Sequence, residues 1–193
     1  MPPKAKFSKK EIIEAAVTIV KSEGYGALTA RALGAKLGTS SSPIFTVFQS
    51  MDEVQQEVLN SANQLYQSYL KKDMESQKYP PYKSSGMAYI RFAKEEKELF
   101  KILFMRDRSH EKAEENKEEI KPLIELIQKS TGLNEEEAYI FHIEMWIYVH
   151  GIATMIATSY LEWDMEFVSQ TLTDAYLGLK SRFCGKEKNN GSN

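Results

Sequence analysis

The chain has 193 residues, of which 42% are hydrophobic and 27% are charged, and these proportions exclude a disordered or fibrous protein. Glycine and proline are scarce, with ten and six residues, so the composition favours a helical fold. The single cysteine, Cys184, excludes an internal disulfide and a cysteine-based zinc site. Because the first residues contain no compact apolar region followed by a cleavage site, we expect a cytoplasmic rather than a secreted protein.

Charge is distributed unevenly along the chain. Residues 1–50 contain seven basic and three acidic groups, whereas the remaining residues contain 18 basic and 24 acidic groups. A basic head on an acidic body predicts that any polyanion binds at the head.

Capping signals predict two helices in the first part of the head. Ser8 and Glu11 form a capping box, in which each residue satisfies a backbone donor of the other, and Gly24 ends the helix that they open. Thr29 caps a shorter helix that ends at Gly38.

A third helix is predicted directly after this glycine. Ser40 is placed to cap it, Pro43 is tolerated in its first turn, and Ile44 and Phe48 point inward one turn apart. Two short helices joined by a tight glycine turn are typical of a helix-turn-helix, whose second helix lies in the major groove of DNA. Hydroxyl side chains at the start of that helix suit contacts with phosphate and with base edges.

The rest of the chain predicts a body made of helices. A capping box of Ser50 and Glu53 opens a long helix that ends near Gln77, and the prolines at 80 and 81 interrupt the chain. The charge-rich stretch at 106–119 is predicted to be a solvated helix face or loop. Further helices are expected at 87–93, 99–105, 122–132, 134–161 and 165–183. A capping box of Asn134 and Glu137 is predicted to open the fourth of these, and Asp164 to cap the last.

The head resembles a known family of regulators. Residues 29–53, TARALGAKLGTSSSPIFTVFQSMDE, are similar to the DNA-binding domain of the tetracycline-repressor (TetR) family, with the approximate pattern T-x-R-x-I-A-x-x-x-G-V-S-x-x-x-L-Y-x-H-F-x-x-K-x-x-L. In the body, Trp146, His150 and Gly151 reproduce a W-x-x-x-H-G signature that many such regulators share.

This resemblance implies an all-α fold of about nine helices in two domains. Residues 1–50 are expected to form a three-helix helix-turn-helix domain, and residues 51–185 a helical-bundle domain for ligand binding and dimerisation. The polar tail at 186–193 is predicted to be disordered.

The resemblance also implies which residues contact DNA. Thr29 and Arg31 fall where the family contacts phosphate from the bracing helix, and Ser41, Ser42, Pro43, Phe45, Thr46 and Val47 fall on the recognition helix. The hydroxyl residues at the start of that helix and one lysine of the N-terminal arm complete the candidates, which are Lys9, Thr29, Arg31, Thr39, Ser40, Ser41, Ser42, Pro43, Phe45, Thr46 and Val47.

Three positions depart from the family pattern. Phe45 replaces a tyrosine, Val47 a common histidine and Met51 a lysine, so three polar contacts to DNA are missing. DNA affinity would then depend more on a basic arm of four lysines, although such an arm is also explained as a solubilising terminus. The arm consists of Lys4, Lys6, Lys9 and Lys10.

Aromatic residues and methionines are concentrated in the body. Their helical spacing is that of a hydrophobic core, whereas the resemblance implies that some of them hold a small hydrophobic effector. The candidate effector-binding residues are Tyr66, Tyr69, Tyr89, Phe92, Phe104, Met105, His142, Met145 and Trp146.

A helix-turn-helix protein reads two half-sites, so we expect a homodimer, formed through the two C-terminal helices. A charge at Leu172 or Leu179, on the apolar stripe of the last helix, is predicted to split the dimer or unfold the chain. No enzyme motif, cofactor or metal set is found, and His142 and His150 are expected to be buried imidazoles rather than metal ligands.

Two functions follow from these features. The first is a ligand-responsive transcriptional regulator, with repression as the expected effect, that leaves a palindromic operator when the effector binds. The alternative is a helical small-molecule-binding or scaffold protein whose head no longer binds DNA.

Overall fold

The computed structural model describes residues 6–107, 109 and 117–185, and these residues form helices and no strands. The eight α-helices in this part of the chain are α1 (Lys9–Glu23), α2 (Ala30–Lys36), α3 (Met51–Ser76), α4 (Pro81–Glu95), α5 (Lys97–Phe104), α6 (Lys117–Thr131), α7 (Glu135–Ala157) and α8 (Met165–Cys184). Two short 3₁₀ helices cover Tyr25–Ala27 and Ile44–Thr46. The all-α fold expected from the sequence is therefore confirmed. The expected count was about nine because residues 40–48 were predicted to form a full helix.

Predicted capping residues begin α1, α7 and α8 as expected, whereas no helix begins at Ser40. The Ser8 hydroxyl accepts a hydrogen bond from the amide of Glu11, and the Glu11 carboxylate accepts one from the amide of Ser8. Asn134 and Glu137 form the same reciprocal pair at the start of α7. The Asp164 carboxylate caps α8 by accepting a 2.7 Å hydrogen bond from the amide of Phe167. Each cap satisfies backbone donors that the first turn of a helix leaves unpaired.

Helix boundaries differ from the predicted ones at two places. Helix α4 begins at Pro81, well before residue 87, because proline is tolerated in the first helical turn, where its missing amide costs no hydrogen bond. Helix α7 ends at Ala157 rather than near residue 161, since Ser159 adopts a left-handed backbone with a φ of 56°. Beyond that residue the amides of Tyr160 and Leu161 donate back to the carbonyl of Met155, which closes the helix.

The described chain divides into two compact units. Unit 1 contains the residues up to Ser68 together with Glu95–Arg106, and unit 2 contains Tyr69–Lys94 and the residues from Asp107 onward. In unit 1, helix α1 packs against α2 and α5. The ammonium of Lys21 on α1 lies 2.7 Å from a carboxylate oxygen of Glu96, next to α5. The core of this unit includes Ile12, Ala16, Val20, Leu33, Ile44, Phe48, Val54, Val58, Leu99 and Phe100.

In unit 2, helix α7 packs against α6 and α8. Helix α4 approaches both α7 and α8 at Gly86, where a Cβ atom would lie 3.2 Å from Cγ2 of Val149 and 3.5 Å from Cδ1 of Leu172. The buried residues of this unit include Ile90, Phe92, Ile127, Phe141, Met145, Ile152, Val168 and Leu172. By length and composition alone α7 could cross a membrane, but core helices of soluble proteins pass the same test, and α7 is packed between its neighbours.

Some sequence expectations concern residues outside the described ranges. Lys4 of the basic arm, most of the charged stretch at 106–119 and the tail at 186–193 belong to this group. The domain boundaries at residues 50 and 185 remain predictions.

Candidate functional site

The recognition segment, residues 41–48, is a tight turn rather than the predicted helix. Its amides bond three residues back, from Ile44 to the Ser41 carbonyl at 3.1 Å and from Phe45 to the Ser42 carbonyl at 3.1 Å, which is the 3₁₀ pattern. The Thr46 hydroxyl donates to the Pro43 carbonyl at 2.7 Å and so competes with a continuing helical ladder. Two β-branched residues in succession, at 46 and 47, lower the helical propensity further.

Two buried side chains fix the recognition segment to unit 1. Ile44 and Phe48 are completely or almost completely buried, as their spacing of four residues predicts. The opposite side carries Ser42, Phe45 and Thr46, which are exposed, and the Phe45 side chain is exposed to 46%. The segment therefore presents one defined face to solvent.

Helix α2 braces this segment from behind. The Thr29 hydroxyl caps the helix by accepting a 3.1 Å hydrogen bond from the amide of Ala32. Thr29 is also exposed to solvent. Arg31 is exposed in the first turn. Gly34 allows close packing, because a Cβ atom there would come within 2.9 Å of the Ser40 backbone. The absence of a side chain at this glycine lets α2 lie directly against the start of the recognition segment.

Two lysines of the arm are bound within unit 1. The ammonium of Lys9 lies 2.6 Å from the Glu57 carboxylate and 5.5 Å above the ring centre of Phe48. The hydrogen bond to Glu57 raises the pKa of Lys9, and the same bond lowers the pKa of Glu57. Lys6 donates to the Thr39 hydroxyl at 3.4 Å. No local pattern indicates the Lys9–Glu57 pair, since 48 residues separate its members.

The nine candidate effector residues are divided between the two units. Tyr66, Phe104 and Met105 belong to unit 1, where the rings of Tyr66 and Phe104 pack edge to face with centres 5.2 Å apart and Met105 is exposed. The other six belong to unit 2. There the rings of Tyr69 and Phe92 pack at 5.3 Å.

The three unit 2 candidates on α7 do not all lie in the interior. His142 and Met145 are buried on the inner side of α7. Trp146 is largely exposed and stacks on the ring of His150, with ring centres 4.8 Å apart. Trp146 is therefore at the surface of this chain and not in its interior.

Two tyrosine–histidine pairs connect α4 to α7. The Tyr82 hydroxyl lies 3.0 Å from Nδ1 of His142, and the Tyr89 hydroxyl lies 2.9 Å from Nδ1 of His150. Tyr82 was missed in the sequence, although the spacing of seven residues between Tyr82 and Tyr89 and that of eight between the two histidines are both about two helical turns. Burial raises the pKa of the Tyr82 phenol, so its hydroxyl is protonated at neutral pH.

The buried His142 and the half-buried His150 predict that acid destabilises the protein. Burial lowers the pKa of His142 and of His150 below the ordinary value of 6.5. The contribution of these histidines to the free energy of unfolding is therefore fully present above the pKa that they have in the unfolded chain, about 6.5. It falls as the pH drops from there toward their lowered pKa in the folded protein, because the unfolded chain takes up protons first. We expect the melting temperature to fall between pH 7.5 and about 5.5, and His142→Gln to reduce that fall. An equal fall in both proteins would show that His142 is not responsible.

An apolar surface runs along α7 and is continued by exposed residues of α8. The exposed apolar face of α7 consists of Tyr139, Ile140, Ile143, Trp146 and Ile147. Phe167 and Leu177 are exposed on α8. An open groove of about 400 Å³ lies beside them, lined by Tyr148, Thr171, Asp174, Ala175, Gly178 and Leu179. Exposed apolar area of this extent is typical of an interaction surface.

Among the described residues, no group of three or more His, Cys, Asp or Glu side chains is arranged to hold a metal ion. Cys184 is half-buried, and its thiol donates weakly to the Thr131 carbonyl. The features that the chain offers for function are thus a solvent-facing recognition segment and an exposed apolar face.

Comparisons with known proteins agree on one family. The family model of tetR-family bacterial regulatory proteins matches residues 12–58, and the model of the tetracyclin repressor-like C-terminal domain matches residues 83–176. The crystal structure of a TetR-like transcriptional regulator from Rhodococcus sp. RHA1 has the same fold, with a TM-score of 0.63 over 94% of this chain and 95% of that one, at 15% sequence identity. No curated protein matches the sequence. With both halves of the chain matched, the protein belongs to the TetR family of DNA-binding transcription regulators.

Proposed function

We propose that the chain forms a homodimer that binds a palindromic operator in double-stranded DNA, represses transcription there and is released by a small hydrophobic effector. The observation that carries the proposal is the recognition segment, which is anchored by Ile44 and Phe48 and exposes Ser42, Phe45 and Thr46. An anchored segment with a single solvent-facing surface is what a protein needs to enter a major groove in a fixed orientation.

In this proposal the remaining candidate residues position the recognition segment on DNA. Arg31 and Thr29, at the exposed start of α2, contact the phosphate backbone, and the Lys6 and Lys10 side chains add positive charge nearby. The head comprises residues 1–50 and the effector and dimerisation domain residues 51–185. The protein acts in the cytoplasm.

The effector site is proposed in the helical body. The Tyr82–His142 and Tyr89–His150 pairs place a few polar atoms between α4 and α7, among buried residues such as Met145 and Ile90, which suits a hydrophobic molecule with a few polar groups. An effector that binds one arrangement of the dimer more tightly would shift the population away from the DNA-binding arrangement.

Selection from random duplex DNA tests this function. We expect a palindromic consensus with half-sites one helical turn apart, and binding that weakens steeply as salt is added.

The alternative is a helical binding or scaffold protein, favoured by the Lys9–Glu57 pair and by the apolar residues at 45, 47 and 51, which leave fewer groups for DNA. Weak binding without a consensus would support that alternative and contradict the regulator.

Arg31→Ala separates positioning contacts from base readout. A phosphate contact carries no sequence information, so the variant is expected to weaken binding to all sequences alike. The slope of log affinity against log salt should become shallower by about one for each half-site. Lys71→Ala, which removes an exposed charge on the far part of α3, is the matched control and should leave the slope unchanged. An Arg31→Ala variant with an altered base preference would contradict the assigned role.

A further inference from the structure

The recognition segment lacks the side chains that usually read bases. Residues 41–48 are Ser, Ser, Pro, Ile, Phe, Thr, Val and Phe, with no Arg, Lys, Asn, Gln, His, Asp or Glu among them. Bidentate pairing with guanine requires Arg or Lys, and bidentate pairing with adenine requires Asn or Gln. The segment therefore cannot recognise purines in that way.

The exposed face of the segment is dominated by one aromatic ring. Phe45 is 46% exposed, and its neighbours on that face are the hydroxyl residues Ser42 and Thr46. The Thr46 hydroxyl donates its proton to the Pro43 carbonyl at 2.7 Å, so towards DNA this residue offers its methyl group and an acceptor lone pair. Ser42 adds a second exposed hydroxyl to this face.

The major groove contains a single apolar group that distinguishes one base from the others, the 5-methyl group of thymine. An apolar ring exposed on a segment that Ile44 and Phe48 anchor matches that group, and it forms no hydrogen bond with a polar base edge. We propose that Phe45 reads the thymine 5-methyl group in each half-site and is the main determinant of operator sequence. The inference rests on the proposed DNA-binding function and adds the base group that is recognised.

The test removes only the methyl group from the DNA. The operator is the consensus selected from random duplexes, and each thymine is replaced in turn by deoxyuridine, which preserves all hydrogen-bonding groups. At one particular thymine of a half-site, we expect the replacement to lower the affinity of the full-length wild-type protein about fourfold, as for the loss of one buried methyl group. When the equivalent thymines of both half-sites are replaced, the affinity should fall about fifteenfold. Replacing that thymine by cytosine should weaken binding, and 5-methylcytosine should restore part of it.

Variants at residue 45 link the effect to one side chain. With Phe45→Ala, the thymine and deoxyuridine operators are expected to bind equally, because the ring that contacts the methyl group is gone. Phe45→Tyr retains the ring and should still prefer thymine. Lys71→Ala, at an exposed position of α3 away from the recognition segment, serves as the control and should keep the wild-type ratio.

Each outcome has a distinct meaning. If selection yields no consensus, the proposed function fails and with it this inference. If a consensus is found but deoxyuridine binds as well as thymine at every position, the regulator stands and Phe45 is not a methyl reader. A thymine preference that persists in Phe45→Ala would likewise overturn the assignment to this residue.

Discussion

Replacing Ile147 by glutamate is expected to convert the proposed dimer into folded monomers and to lower operator affinity by about a hundredfold or more, because the two half-sites are no longer bound by one particle. Ile147 is 60% exposed in the single chain, so a charge there leaves the chain's own core intact. In the proposed interface the same carboxylate would lose its water without gaining a partner. Light scattering gives the mass, circular dichroism the helical content and fluorescence anisotropy the operator affinity.

A control substitution sharpens this experiment. Gln67→Glu adds the same charge at an exposed position of α3 and is expected to change neither mass nor affinity. The sequence also suggested Leu172, on the apolar stripe of the last helix, as a position to test the dimer. Leu172 is only 3% exposed and belongs to the core of its own chain. A charge there is therefore expected to unfold the protein rather than to separate the subunits. An Ile147→Glu protein that remains dimeric would place the interface elsewhere.

Phe48→Ala is expected to lower the free energy of unfolding by about 3–5 kcal/mol and to abolish DNA binding. The ring is 1% exposed and anchors the recognition segment, and the Lys9 ammonium lies above it. Its loss leaves a cavity that the neighbouring residues fill only in part. Chemical denaturation measures the free energy of unfolding, and anisotropy measures binding to the operator.

Phe45→Ala is the matched control, since it deletes the same side chain three residues earlier on the exposed face. The free energy of unfolding is expected to change by no more than about 0.5 kcal/mol, while the base preference changes. Similar destabilisation by both substitutions would contradict the view that one ring anchors the segment and the other faces DNA.

Local signals in the sequence predicted the helices well. Ser8, Thr29, Asn134 and Asp164 cap the helices that they were expected to cap, because a cap depends on residues only three or four positions apart. The inward direction of Ile44 and Phe48 followed from the same short spacing. The failure at residues 40–48 is also local, because the Thr46 hydroxyl and the β-branched residues favoured a 3₁₀ turn over a helix.

Contacts between distant parts of the chain could not be predicted in this way. Lys9 looked like a free basic residue of the arm, yet it pairs with Glu57 on α3. Trp146 looked like part of an interior pocket, because helix α7 is apolar on nearly every side and its sequence does not indicate which side is covered. Only the packing of α7 against α6 and α8 separates buried Met145 from exposed Trp146.

The composition of unit 1 has a consequence for protein engineering. Its core is completed by α5, whose Leu99 and Phe100 are buried although they lie far from the head in sequence, and Lys21 is paired with Glu96 beside them. A fragment cut after residue 50 or 68 would expose the surface of α1 that α5 covers. Chimeric regulators that exchange heads between relatives would therefore have to transplant residues 95–106 together with the N-terminal segment.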